Sequence, residues 1–210
     1  MSRRLACLVV VLLAAATPRS GDAQVIRLSG FGVAATNSEV EGTREAKGLG
    51  FGAGARADLS RFRGELRYLH AALRGDFSIQ PDYNLDQLDA TVSYFWRPYL
   101  AAQVGIARRF VSPDFVAQDV GMLRIGVLSE VRLARIAGVW VRGAYLPLSR
   151  FSGGGSAGLG LEVGLGADVG SPEGRLQGFA AFDFQRIDRE AAASAPIQFS
   201  VGQAGLKLQL

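Results

Sequence analysis

The chain has 210 residues, 49% of them hydrophobic and 20% charged, with a formal charge of +4, one cysteine and one histidine. So small a charge gives no footprint for nucleic acid, and one cysteine with one histidine cannot build a Cys/His metal centre. The length suits a single domain.

The N-terminus reads as a secretory signal. Arg3 and Arg4 precede an apolar run from Leu5 to Ala16, too short to cross a bilayer as a helix. "TPRSGDA" breaks the run, and Gly21 and Ala23 supply small residues for cleavage before Gln24. Residues 1–23 are thus expected to be removed, with 24–210 as the exported domain. Cys7 lies inside the signal, so the exported domain has no cysteine and no disulfide. Arg3, Arg4, Arg19 and Asp22 carry half the formal charge, leaving +2 on the domain.

From Gln24 onwards apolar residues recur at every second position, the period of a β-strand. The first strand is "QVIRLSGFGVAAT" (24–36). "GLGFGAGARAD" (48–58) sets Leu49, Phe51, Ala53 and Ala55 against Gly50, Gly52, Gly54 and Arg56. "FRGELRYL" (62–69) sets Phe62, Leu66 and Tyr68 against Arg63, Glu65 and Arg67. "DQLDATVSYFW" (86–96) carries Asp89 on its polar side, and "LAAQVGIAR" (100–108) follows. "LRIGV" (123–127) and "VWVRGAY" (139–145) bring Arg124 and Arg142. "AGLGLEVGLGADVG" (157–170) is the clearest case, with Leu159, Leu161, Val163 and Leu165 opposite Gly160, Glu162, Gly164 and Gly166. "LQGFAAFDFQ" (176–185) adds Asp183. The last strand, "IQFSVGQAGLKLQL" (197–210), loses its phase near Gly202, as a bulge would cause. About ten strands result, with eight as the alternative count.

Connections alternate in length. "NSEVEGTREAK", "RGDFSIQPDYN", "VSPDFVAQ", "SRFSGGGS" and "DREAAASAP" are long and polar; the links between them are short. An up-and-down meander then carries every long loop at one end.

The apolar face is expected to point outwards. Strands of about 9–11 residues match a tilted bilayer crossing, and aromatic residues gather at strand ends: Phe62, Trp96 and Tyr99 by short turns, Tyr68, Phe110 and Tyr145 by long loops. The opposite face mixes glycine with Arg56, Arg63, Glu65, Arg67, Asp89, Arg124, Arg142, Glu162 and Asp183. This composition suits a narrow lumen of paired charges, in which Gly160 and Gly164 leave room for Glu162 to meet Arg142. A sheet in lipid must close on itself, and such a barrel is expected to need no hydrophobic core.

In this alternation and loop pattern the domain resembles the small outer-membrane β-barrels of diderm bacteria, the OmpA-transmembrane-domain and OmpX-like group. The resemblance covers residues 24–210. It departs from the group in its strand count and in ending on leucine where an aromatic residue is usual. It implies a monomer in the outer membrane, contact with membrane lipids and lipopolysaccharide, and delivery by barrel-assembly machinery.

Chemistry is sparse. His70 could act as a base with Asp76 or Ser78, but no nucleophile–base–orienter set is spaced for it. The glycines alternate within strands and open no helix, so they are not a dinucleotide loop. No catalytic residue, metal ligand or cofactor is expected. Three roles remain: a structural barrel or narrow pore passing small solutes, a surface receptor using loop residues such as Phe77 and Tyr83, and a soluble exported barrel holding an apolar ligand.

Overall fold

The computed structural model describes residues 25–39, 45–75, 82–112, 119–152, 157–171, 174–189 and 195–210. The signal segment, Asp76, Phe77 and Ser78 lie outside them. The strands are β1 (Val25–Glu39), β2 (Glu45–Leu59), β3 (Phe62–Gly75), β4 (Tyr83–Arg97) and β5 (Leu100–Ser112), then β6 (Val120–Ala134), β7 (Ala137–Phe151), β8 (Ala157–Val169), β9 (Leu176–Arg189) and β10 (Ile197–Gln209). Each pairs antiparallel with its neighbours in sequence, and β1 closes on β10 to complete a ten-stranded barrel.

The strands are 13 to 15 residues long, more than the alternation alone marks out. β1 runs past Thr36 and pairs Asn37 with Ala46 and Ser38 with Glu45. "NSE" and "EAK" are therefore hairpin arms rather than loop. Their inward side stays packed, with Ala46 and Asn37 buried, so the ladder continues although the outward side has turned polar.

The inner side of β8 is the glycine side. Leu161 and Leu165 are 46% and 51% exposed on the outer wall, whereas Glu162 is 3% exposed within. The same outward apolar face recurs in Leu49, Phe51, Val92, Ile106, Val127, Val141 and Phe182. The six aromatic residues flagged at strand ends all stand exposed on this wall. So continuous an apolar exterior does not suit a soluble barrel.

Three features differ from expectation. β10 has no register shift at Gly202. Ile197, Phe199 and Val201 point inwards and Leu206 and Leu208 outwards, in one unbroken alternation. The apparent slip records a change in what lines the lumen. A real bulge lies in β7, where Leu123 pairs with Leu148 but Ile125 with Tyr145. Pro147 sits at that extra residue, where a missing N–H costs no ladder bond. Lastly, the barrel does have a hydrophobic core. Phe31, Val33, Leu69, Leu73, Leu85, Val111 and Phe199 form one buried cluster, and Val120, Met122, Leu146, Phe151, Ile187 and Ile197 a second. Both fill the loop-side half, and Phe31 carries the first down to Phe179 near the middle of the lumen. A side-chain-filled barrel of this width has an interior to pack, and there apolar groups pack without pairing requirements.

Candidate functional site: the lumen

Every charged residue picked out for the lumen faces inwards, but the structure sorts them into layers. The central layer is an ion-pair lattice. Arg67 on β3 reaches Asp89 on β4 at 3.1 Å and, across the lumen, Asp183 on β9 at 3.0 Å. Arg124 on β6 binds Glu162 on β8 at 2.7 Å and Asp89 at 3.3 Å. Arg142 on β7 contacts Asp183 at 2.7 Å and Glu162 at 3.3 Å. The expected Arg142–Glu162 contact exists, yet the shorter partner of each is a different residue. Arg124 and Asp89 are almost wholly buried. Paired, hydrogen-bonded charges of this kind tolerate burial where a single charge would not.

Four neutral or cationic groups missed in the sequence complete the lattice. Gln203 donates to Asp183 at 2.6 Å, and Gln87 donates to Asp89 at 3.0 Å. Arg109 donates to Gln87 on one side and to Gln185 on the other, at 2.6 Å, and stacks 4.1 Å over Phe199. It ties the lattice to the apolar layer above. All four alternate in phase with residues that were recognised, so period two from Asp89, Asp183 or Val201 leads to the glutamines.

Glycine makes the space. A Cβ on Gly164 would lie 2.4 Å from Asp183 Oδ1 and 2.7 Å from Arg142 Nε, and one on Gly166 would strike the Trp140 ring. On the outer wall, a Cβ on Gly143 would meet nothing within 4 Å. Gly164→Val should therefore destabilise the barrel by about 1–3 kcal/mol through overpacking, while Gly143→Val stays near wild type. Urea titration of the two refolded variants measures the difference.

A third layer lies towards the short turns. Asp58 receives three arginines: Arg27 at 2.6 Å, Arg63 at 2.7 Å and Arg56 at 2.9 Å. Arg63 also forks onto Glu130, an inward residue of β6 not foreseen because the strand was read only to Val127. Arg56 thus belongs to this layer and not to the central lattice. Glu65 belongs to neither. It faces the lumen, exposed, and takes part in no ion pair or hydrogen bond among the described residues. Below it a cavity of about 550 Å3 opens at the turn end.

The remaining candidates fall elsewhere. Tyr83, expected on a loop surface, is 2% exposed and points into the lumen, where its hydroxyl accepts a hydrogen bond from Asn37 at 2.7 Å. It directly opens β4, and period two places it with Leu85 and Gln87 on the inner face. His70 faces the other way. Its Nδ1 lies 2.9 Å from Asp86, which also receives the Tyr68 hydroxyl at 2.5 Å, and its ring packs 5.1 Å from Phe51. The cluster sits on the outer wall and holds no serine among the described residues; its partner is Asp86, opposite in the β3–β4 register.

No family model matches the chain, and no curated protein matches it. Among solved structures, the outer-membrane protease OmpT of Escherichia coli aligns with 93% of this chain and all of its own, at 10% identity and a TM-score of 0.56. Neisserial surface protein A aligns with 88% of this chain and 97% of its own, at 14% identity and a TM-score of 0.45. Ail, the attachment invasion locus protein of Yersinia pestis, aligns with 91% of this chain and all of its own, at 12% identity and a TM-score of 0.41. With its closed antiparallel sheet, outward leucines and inward charges, the chain has the fold of the bacterial outer-membrane β-barrels.

Proposed function

We propose that this protein is a non-enzymatic structural barrel of the bacterial outer membrane, monomeric, with a lumen closed to through passage. The long-loop end faces outwards and the short turns face the periplasm. The layered interior carries the reading. Arg67 and Arg109 each reach across from one wall to β9, and above them Leu69, Leu85, Leu146 and Ile187 are almost fully buried. Ion passage would need the lattice opened and the apolar layer wetted together.

The exterior supports the location. The apolar belt ends on the loop side in a charged rim: Arg74, Arg108 and Arg150 are outward cations, while Lys47 and Arg186 pair with Glu45 and Asp188 at 2.8 and 2.9 Å. Such a rim suits the phosphates of lipopolysaccharide or other anionic lipids, and barrel-assembly machinery is the insertion partner on this reading. The experiment is single-channel recording of the refolded protein in a planar bilayer. The membrane should stay at baseline conductance. Reproducible current steps would overturn the closed-lumen reading.

A further inference from the structure

Two opposite charges in the turn-side chamber are left without full partners although they face each other. Arg56 and Glu65 are directly opposed across β2 and β3. Cross-strand pairs of opposite sign at that spacing ordinarily bond. Here Arg56 turns away and spends its Nε on Asp58, at 2.9 Å, leaving its two terminal nitrogens without a partner among the described residues. Glu65, which feels only the longer-range attraction of Arg67, takes no hydrogen bond or ion pair among the described residues. Trp140 lines the same chamber, held in the lumen by the space above Gly166, and Phe179 lies beside it with Lys207 4.9 Å over its ring. The chamber continues into the cavity of about 550 Å3 that opens at the turn end, and both are lined by Arg56 and Trp140. The chamber at Glu65 is itself small, about 90 Å3, room for an ammonium group, and the 550 Å3 cavity past Arg56 and Trp140, of the order of small-molecule sites at about 300–1,000 Å3, is where a ring fits.

We infer that this chamber is a binding pocket for a small zwitterionic solute bearing a planar apolar group, the chemistry of an aromatic amino acid or a short peptide. The carboxylate of the solute lies on the free Arg56 nitrogens, its ammonium on Glu65, and its ring against Trp140. A simple anion would meet Glu65, and a simple cation would meet Arg56, Arg63 and Arg67 nearby. Only a solute carrying both charges satisfies both groups. The inference rests on the closed-lumen reading, because the ordered layers above make the pocket blind.

The test uses the full refolded chain in detergent with Trp96→Phe, which leaves Trp140 as the sole tryptophan. Three probes of equal ring size are titrated against Trp140 fluorescence: phenylalanine, 3-phenylpropionate and phenethylamine. Phenylalanine should bind saturably and about tenfold tighter than either single-charge probe, the value of one charge-assisted hydrogen bond. Glu65→Gln should weaken phenylalanine and leave phenylpropionate unchanged. Arg56→Gln should weaken both of these and leave phenethylamine unchanged. Equal affinities for all three probes, a response that does not saturate, or indifference to both substitutions would overturn the pocket. Conductance is read separately, so an open channel and an empty pocket are distinguishable failures.

Discussion

Arg124→Ala should destabilise the barrel by about 3–5 kcal/mol, the usual loss when one member of a buried ion pair is removed. Arg124 is 2% exposed and donates to Glu162 through both Nε and Nη2, at 3.0 and 2.7 Å, while Nη2 also reaches Asp89. Without it Glu162 keeps Gln185 and a longer contact to Arg142, and Asp89 keeps Arg67. Two buried carboxylates then share less positive charge than their burial requires. The measurement is the urea midpoint of the refolded variant in detergent, with heat-modifiable gel migration reporting the folded fraction. Loss of less than about 1 kcal/mol, the range of exposed pairs, would show that the lattice is solvated and the lumen wet. The same variant should not conduct. Removing Arg124 opens the central layer only, and Leu69, Leu146 and Ile187 still close the loop side. On the closed-lumen proposal stability and conductance therefore separate here: the lattice sets the first, and the apolar layer guards the second.

The division of labour inside the barrel also explains what could be read in advance. Alternation in β8 marks the outer wall plainly because glycine and Glu162 contrast with four aliphatic residues. It marks the central charges for the same reason. Contrast fails where both faces are apolar. In β3, Leu69, Ala71 and Leu73 are buried in the lumen and Tyr68, His70 and Ala72 face outwards, so hydropathy gives no side to the strand end. β10 shows the same change halfway along its length, which imitates a bulge. The loop-side core was hidden by this loss of contrast, and so was the inward aim of Tyr83. Ion-pair partners were hidden for a different reason. Arg67 meets Asp183 from four strands away, and Arg63 meets Glu130 from three; such pairings depend on lumen width and tilt, which no local pattern carries. Residue type and facing were local properties, whereas partner identity was a property of closure.

Leu165→Arg should cost about 2–4 kcal/mol in lipid vesicles, whereas Leu161→Arg should cost only about 0–1 kcal/mol, because the penalty for a charge falls from the bilayer midplane to its interface. The two leucines lie on the same strand and the same outward face, at nearly equal exposure. Their neighbours differ. Leu165 sits between Val141 on β7 and Phe182 on β9, both outward and apolar. Leu161 sits between Tyr145 and Arg186, so its row already holds an interfacial aromatic residue and a cation. An arginine there reaches the headgroup region along with Arg186; one at Leu165 has apolar neighbours on both sides and a long way to either surface. Reversible urea unfolding of the two variants in vesicles gives the two costs. Equal, small costs at both positions would mean that the wall is not in hydrocarbon, and the outward leucines would then need another cover. A steep difference would fix the outer boundary of the membrane at the Tyr145–Leu161–Arg186 row. That row borders the Arg124–Glu162 lattice: Glu162 follows Leu161, and Ile125, next to Arg124, pairs with Tyr145. The depth series thus bears on the first prediction too: with the boundary at that row the loss from Arg124→Ala should come to the lower end of its range, and a boundary further towards the loops would move it to the upper end.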